Sequence, residues 1–246
     1  MKKAIIVAMA VLALVSCGNQ KKGESKKEVT IAASAYPQDT ILANDGSEII
    51  LTFYTHASIA IQAKGRQIYI DPVGENIDWA AEPKADLVLI THNHQDHFSV
   101  PAIKAVVKPG CNYKKLLPGE SYTEFEEEGI FIDAIPAYNT TEDHLKYHPQ
   151  NRGDAGYLIE VAGKTIYVAG DTEDNEDVLR LSHVDIAFLP VNQPFTMTAD
   201  QCINVVKKLT PSIFYPYHFG GGDPADLEKL QTELADITDV RIRPLS

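Results

Sequence analysis

The feature that most constrains this chain is a polar stretch directly after a continuous apolar run. The apolar run, Ala85–Ile90, predicts a strand that is buried on both faces of a sheet. The polar stretch, Thr91-His92-Asn93-His94-Gln95-Asp96-His97, must then be a loop at the carboxyl end of that strand, where α/β proteins place their sites. Its histidines and aspartate offer the nitrogen and carboxylate ligands that divalent transition metals require. An exposed histidine-rich loop is the alternative, and the buried strand argues against it.

The remaining apolar runs predict a layered α/β domain, with sheets inside and helices outside. A helix is expected from Ser99 through Val107, another after the capping-box sequence that begins at Thr198, and a last one after Asp223. About two hundred residues suit one domain and are too few for two, so we predict a single domain over residues 48–246. The predicted strands lie at 49–54, 58–63, 66–70, 85–90, 129–135, 156–161, 165–169, 184–189 and 213–217.

The start of the chain has the pattern of an export signal. A basic beginning is followed by the apolar run Ala4–Val15, which is too short to span a bilayer comfortably. Leu14-Val15-Ser16-Cys17 resembles the lipobox at which bacterial lipoproteins are cut and lipidated on the cysteine. We therefore expect residues 1–17 to be a lipoprotein signal peptide and residues 18–47 to be a flexible tether. The mature protein would be exported and anchored through Cys17 to a membrane, on its periplasmic or cell-surface side; an ordinary secretory peptide is the alternative.

Charge and cysteine content disfavour other classes of protein. The chain carries a formal net charge of -12. The charges of the tether cancel and Lys2 and Lys3 of the signal peptide contribute +2, so the domain itself carries -14. Binding to nucleic acid is therefore disfavoured. Only Cys111 and Cys202 follow the lipobox cysteine, so the domain is no disulfide scaffold. Unpaired thiols are the default expectation, and a single bridge is the alternative.

Further candidate ligands follow strand-like runs elsewhere in the domain. Asp171 comes after the run 165–169 and Gly170, and His218 comes after the run 213–217. Taken alone, Asp171 could be a turn residue and His218 could simply precede a flexible glycine-rich loop. Both nonetheless emerge at strand ends, as His92 does, and this convergence favours metal ligation.

The stretch from His92 to His97 resembles the His-x-His-x-Asp-His signature of the metallo-β-lactamase superfamily. The similarity covers nearly the whole domain and extends to a branch of small hydrolases similar to sugar-phosphate lactonases and to the phospholipase D that cleaves N-acyl phosphatidylethanolamine. The resemblance implies an αββα sandwich with the site at one edge between the sheets. The segments that carry it, in their expected order, are His56-Ala57-Ser58, Ile70-Asp71-Pro72, Ala169-Gly170-Asp171-Thr172 and Pro216-Tyr217-His218.

Carried over by position, the resemblance implies a pair of divalent metal ions, most readily zinc, with manganese or iron as alternatives. His56 and Asp71 would lie under the metal site, where a carboxylate can fix the tautomer of a ligating histidine. Asp71 could also be a simple turn former before Pro72. The implied ligands are His92 and His94 for the first ion, Asp96, His97 and His218 for the second, and Asp171 as the bridge.

The sequence departs from the family pattern at one ligand of the first ion. Asn139 stands in Pro136-Ala137-Tyr138-Asn139, where the family has histidine, and His148 follows shortly downstream. We expect His148 to fold back and replace the missing ligand. Coordination by the amide oxygen of Asn139 is the second interpretation, and a weakly held first ion is the third. His144, in the same polar segment, is expected to be an exposed loop residue.

The implied chemistry is hydrolysis by a metal-bound hydroxide that attacks a carbonyl or a phosphorus. Asp96 would orient the hydroxide and carry a proton, and Tyr138 is the favoured donor to the substrate oxygen, with His148, Tyr217 and His56 as further candidates. A small-molecule or lipid-derived lactone, phosphodiester, ester or amide remains open as the substrate. The alternatives are a surface-tethered binding module without turnover and a di-iron redox enzyme on the same fold.

Overall fold

Two β-sheets pack face to face in the computed structural model, which describes residues 33–220 and 223–246. The strands of the first sheet, which lie side by side in chain order, are β1 (Gln38–Leu42), β2 (Glu48–Thr55), β3 (Ser58–Ala63), β4 (Arg66–Ile70), β5 (Leu87–Leu89) and β6 (Tyr113–Lys114). The strands of the second sheet are β7 (Ser121–Tyr122), β8 (Ile130–Pro136), β9 (Ala155–Val161), β10 (Lys164–Val168), β11 (Ile186–Pro190), β12 (Ile213–Tyr217) and β13 (Asp239–Val240). They run across that sheet in the reverse order, from β13 at one edge to β7 at the other.

Helices cover the outer face of each sheet. They are α1 (Val100–Val106), α2 (Glu176–Leu179), α3 (Ala199–Leu209) and α4 (Pro224–Leu234), and short 3₁₀ turns lie at Glu126–Glu128, Glu142–His144 and Gln150–Arg152. Two of the helix starts follow the sequence signals. Ser99 accepts a hydrogen bond from the backbone of Ala102 ahead of α1, and Thr198 forms a capping box with Gln201 at α3.

Three apolar layers follow from the alternation of side chains along the strands. In β10, Ile166 and Val168 belong to the core between the sheets, whereas Tyr167 belongs to the outer layer with α3 and α4. In β5, Leu87 and Leu89 face the central core, while Val88 packs with α1 on the other outer face. This arrangement confirms the expected α/β class and the single-domain αββα sandwich.

Parallel pairing brings the carboxyl ends of the site-bearing strands to one edge of each sheet. In the first sheet, β4 and β5 are parallel, so the turns after Ile70 and Leu89 lie together. In the second sheet, β10, β11 and β12 are parallel, so the turns after Val168 and Tyr217 also share an edge. The strands that the sequence predicts to end in ligands therefore end next to one another.

The boundary of the predicted tether requires a correction. Residues 38–42, expected to be flexible, form the edge strand β1, which pairs with β2 along its whole length. Asp39 fixes this strand through hydrogen bonds from Arg243 and Tyr215 near the other end of the chain. The predicted signal peptide, 1–17, and the tether up to residue 32 lie outside the described residues.

Cys111 and Cys202 are both free thiols, which confirms that the domain is not built on a disulfide between them. Within residues 33–220 and 223–246, the helices are too short or too polar for any of them to cross a membrane.

Candidate metal centre

Three of the residues that build the site have strained backbones at the ends of their strands. His56 after β2, Asp71 after β4 and His218 after β12 adopt left-handed conformations, with φ of 53°, 47° and 53°. Non-glycine residues occupy this region at a cost, and such strain tends to cluster at functional sites. The turns support each other, because the backbone N–H of His218 donates to the carbonyl of His56 at 3.1 Å.

The first ligand set contains His92, His94 and His148, whose ligand atoms all lie within 4.8 Å of one another. Nε2 of His92 is 3.1 Å from Nδ1 of His94. Nε2 of His148 is 3.3 Å from Oδ2 of Asp171, and Nε2 of His92 is 3.8 Å from the same oxygen. The structure thus brings His148 beside His92 and His94, and its replacement of the missing family ligand stays a prediction.

The second ligand set contains Asp96, His97, His218 and also His56. Nε2 of His97 is 3.3 Å from Oδ1 of Asp171, and Nε2 of His218 is 3.3 Å from Oδ2 of the same carboxylate. Nε2 of His56 lies 3.2 Å from Oδ2 of Asp96. His56 is expected from the family resemblance to lie under the site, whereas the structure places its ring nitrogen among the ligand atoms.

Asp171 connects the two sets because Gly170 lets the turn after β10 come close to the other sheet. Gly170 has a φ of 66°, and a Cβ there would lie 3.1 Å from Cβ of Thr91 and 3.2 Å from the carbonyl oxygen of Ala155. A side chain at this position would therefore be strained and crowded. The sequence Gly170-Asp171 places a buried carboxylate between the histidines of both sets.

The distances between the nitrogen and oxygen atoms around Asp171 suit ligands that share a bound cation better than they suit hydrogen bonds. Ligands of a tetrahedral zinc ion at about 2.1 Å lie about 3.4 Å from one another, close to the separations of 3.3 Å around Asp171. Among the described residues, Nε2 of His97, Nε2 of His218 and Oδ1 of Asp171 are buried without a hydrogen-bond partner. Buried polar atoms are rarely left unpaired, so these atoms converge on a site for a positive ion.

The electrostatics of the cluster agree with this conclusion. Burial opposes protonation of His97, but Asp171 and Asp71 together raise its pKa well above the ordinary value. Burial would also raise the pKa of Asp171, yet His218 and His97 hold it well below its usual range. Burial and the neighbouring His97 lower the pKa of His92. The protein therefore favours one buried positive charge beside Asp171, which is the charge that a metal ion would supply.

Two buried carboxylates contact the Nδ1 atoms of ligand histidines and so orient their rings. Oδ2 of Asp71 lies 2.8 Å from Nδ1 of His97, and its two oxygens also accept from the backbone N–H and hydroxyl of Thr91. Oδ2 of Asp154 lies 3.4 Å from Nδ1 of His148. The first contact was expected from the sequence. Asp154 was missed, because an aspartate after Gly153 and before a strand has the same signature as a turn residue.

Three residues from the segment before β9 make contacts that the sequence does not predict. The hydroxyl of Tyr138 donates to Asp177 of α2 at 3.1 Å, and its expected role as a donor to a substrate oxygen stays a prediction. His144 is only 18% exposed and its Nδ1 lies 2.7 Å from buried Glu173, so the expectation of an exposed residue is wrong. Asn139 is buried, and its amide nitrogen donates to the carbonyl of Phe195. Its amide oxygen has no hydrogen-bond partner in the described parts of the chain, and ligation by it stays a prediction.

The ligands open into a cavity of about 220 Å³. Its lining includes Tyr147 and Phe195, whose rings meet edge to face at 4.9 Å. A larger cavity, of about 700 Å³, lies beside Trp79 and Phe98 and contains none of the clustered ligands, so the chemistry locates the site in the smaller one. Besides the aromatic pair, the smaller cavity is lined by His94, Asp96, His148, Asp171, Asn192 and His218.

Comparisons with known proteins place this site in a family context. A model of the beta-lactamase superfamily domain matches residues 50–218. A UPF0173 metal-dependent hydrolase of Pyrococcus abyssi is 30% identical over 213 residues, which cover 75% of this chain and 93% of the relative. A crystal structure from Parabacteroides distasonis, described as a metal-dependent hydrolase, is 39% identical, with a TM-score of 0.79 over 86% of this chain and 100% of that one.

The fold itself is shared more widely. CmlA, a diiron β-hydroxylase from Streptomyces venezuelae, has a TM-score of 0.64 and 16% identity, over 80% of this chain and 53% of its own. At this identity the likeness shows the fold alone. The shared fold therefore does not identify the metal or the reaction, which depend on the residues of the site.

Proposed function

We propose that this chain, which belongs to the beta-lactamase superfamily and is a metal-dependent hydrolase, binds two divalent cations that share Asp171. The observation that carries the proposal is the position of that carboxylate. Its Oδ1 faces His97 of the second set, and its Oδ2 faces both His148 of the first set and His218 of the second. Imidazole nitrogens with few carboxylates fit zinc best, although iron accepts the same ligands.

The clustered histidines and Asp171 would act as ligands, whereas Asp96 of the second ligand set would also carry a proton. Bound cations would supply an activated water and positive charge for the substrate oxygen. Asp96 is 53% exposed and lines the cavity, so it can accept a proton from the attacking water and return it to the leaving group. His56, 3.2 Å away, holds that carboxylate in place. His148 is engaged at both nitrogens, by Asp154 and Asp171, and serves as a ligand and not as a proton donor.

The cavity favours a small substrate or the end of a longer one. Its volume of about 220 Å³ lies below the usual range for drug-sized ligands. The aromatic pair Tyr147 and Phe195 offers an apolar wall beside the ligands. A small lactone, phosphodiester or related ester or amide, including one derived from a lipid, meets both conditions.

Hydrolysis of a substrate panel tests this proposal. The zinc-loaded chain is expected to hydrolyse at least one of a set of lactones, phosphodiesters, phosphomonoesters and β-lactams. His92→Ala and His218→Ala should each lower kcat/KM by about a thousandfold or more, because each removes a ligand from one set. Full metal content and full turnover in His218→Ala would contradict the proposal.

We also propose that the mature chain is anchored to a membrane through Cys17. The support is the sequence pattern, in which a basic start and an apolar run lead to Leu14-Val15-Ser16-Cys17. Since β1 begins at Gln38, the stretch between the lipidated cysteine and the domain would be shorter than the tether expected from sequence. The catalytic domain would then work at a membrane surface on lipid-derived or freely diffusing substrates.

A further inference from the structure

The loop that delivers His148 is held by a buried carboxylate that belongs to neither ligand set. Glu173 is fully buried. Its Oε2 accepts hydrogen bonds from the backbone N–H groups of Thr140 and Thr141, each at 2.7 Å, and from the hydroxyl of Thr140 at 3.0 Å. Its Oε1 lies 2.7 Å from Nδ1 of His144. A buried carboxylate is costly unless its oxygens are paired, and Glu173 directs these contacts to the single segment 139–148.

Asn139, the first residue of the same segment, holds it through three hydrogen bonds. Its backbone N–H donates to the carbonyl of His148 at 2.8 Å, which joins the first and last residues of the loop. Its amide nitrogen donates to the carbonyl of His144 at 3.2 Å and to the carbonyl of Phe195 at 2.8 Å. The loop is therefore tied at its start, middle and end, and it is also tied to Phe195, which lines the cavity.

We propose that Glu173 and Asn139 are positioning residues, which hold the segment 139–148 closed so that His148 reaches the first metal ion and Tyr147 meets Phe195. The inference rests on the proposed two-metal function. It also explains how asparagine can stand where the family signature has histidine. The amide of Asn139 can donate to two carbonyls at once, which a single imidazole nitrogen cannot do, and the ligand moves to position 148.

Release of zinc to a chromogenic chelator tests the inference on the zinc-loaded full chain. Wild type is expected to release two ions in two phases, and His148→Ala identifies the phase that belongs to the first ion. In Glu173→Ala the release of the first ion should be about tenfold faster, which is the lower end of the change in metal binding caused by removing a residue that supports a ligand. Release of the second ion should change by less than about twofold. Glu173→Gln should restore most of the slow release, because its amide oxygen can still accept from Thr140 and Thr141.

Two further variants keep the test decisive. Glu142→Ala alters an exposed glutamate in the same segment and should release both ions as wild type does. His144→Ala removes only one contact of Glu173 and should accelerate the first-ion phase by about threefold, even if Glu173→Ala does not fold. A general structural role would accelerate both phases equally.

The outcomes separate the inference from the function on which it rests. Equal acceleration of both phases, or unchanged release in the Glu173 and His144 variants of a two-metal chain, would overturn the inference alone. A wild-type chain that releases fewer than two ions would overturn the two-metal function and the inference with it.

Discussion

At the scale of single residues, the site depends on carboxylates that fix the histidine rings. Asp71 shows the principle most clearly, because its oxygens contact His97 and both polar groups of Thr91 while being almost fully buried. An aspartate oxygen behind Nδ1 requires the proton on that nitrogen and leaves Nε2 free for a metal ion. The tautomer of His97 is therefore set by its neighbour, and the ligand function depends on that tautomer.

We predict that Asp71→Asn weakens zinc binding by about 10- to 100-fold with little change in fold. The amide group can face Nδ1 of His97 with its nitrogen, which favours the tautomer whose Nε2 carries the proton and cannot bind metal. Competition with a chelator of known affinity measures the loss, and Asp78→Asn, at an exposed aspartate, is the matched control. Unchanged zinc affinity in Asp71→Asn would show that the contact does not set the tautomer.

We also predict that zinc binding to the metal-free protein releases protons at neutral pH. Although burial opposes it, Asp171 and Asp71 raise the pKa of His97 well above its ordinary value, so the ring is protonated in the metal-free state. The metal must displace that proton, and zinc affinity should fall about tenfold for each pH unit lowered through the neutral range. Calorimetry in buffers of different ionisation enthalpy counts the protons. Zinc binding with no proton release between about pH 6 and 8 would contradict this account.

At the scale of elements, the sequence predicts a strand when the residues that stabilise it are close to one another in the chain. The runs 49–54, 58–63 and 213–217 carry enough apolar residues to be recognised as strands, and the structure confirms them as β2, β3 and β12. In β1, only Ile41 and Leu42 are apolar, and the strand is held by ion pairs to Arg243, 204 residues away. Glu173 was missed for the same reason, since its partners lie 29 to 33 residues away in the chain.

We predict that a chain starting at residue 48 is less stable than one starting at residue 33. The shorter chain loses β1, the burial of Ile41 and the ion pairs of Asp39. The loss should be about 2 kcal/mol, which lowers Tm by roughly 4 to 8 °C in a domain of this size. Thermal unfolding of the two chains measures the difference, and their metal content should be equal because β1 carries no ligand. Equal Tm values would restore the boundary at residue 47.

At the scale of the whole molecule, the order of segments predicts an acidic domain that works at a membrane surface. The chain carries a net charge of -12, and its export pattern ends at Cys17. An acidic domain is not attracted by anionic head groups, so its attachment would depend on the lipid and not on surface charge. Attachment that does not depend on surface charge therefore distinguishes a lipid anchor from electrostatic adsorption.

We predict that Cys17 carries the lipid. In a bacterium that processes lipoproteins, wild type should incorporate a labelled fatty acid and remain in the membrane fraction at high salt. Cys17→Ser should lose the label, and Cys111→Ser, which alters one of the two free thiols of the domain, should keep it. Absence of label in wild type, or label retained in Cys17→Ser, would contradict the anchor.

The two-metal site that shares Asp171, with His148 as the third histidine of the first ion, is the central claim, and metal content after exhaustive dialysis tests it most directly. We predict two zinc ions per chain for wild type and for His183→Ala, whose histidine is exposed and lies outside both ligand sets. His148→Ala and His218→Ala should each retain about one ion, because each loses a ligand of a different set. Wild type with one ion or none, or His148→Ala with two, would contradict the account.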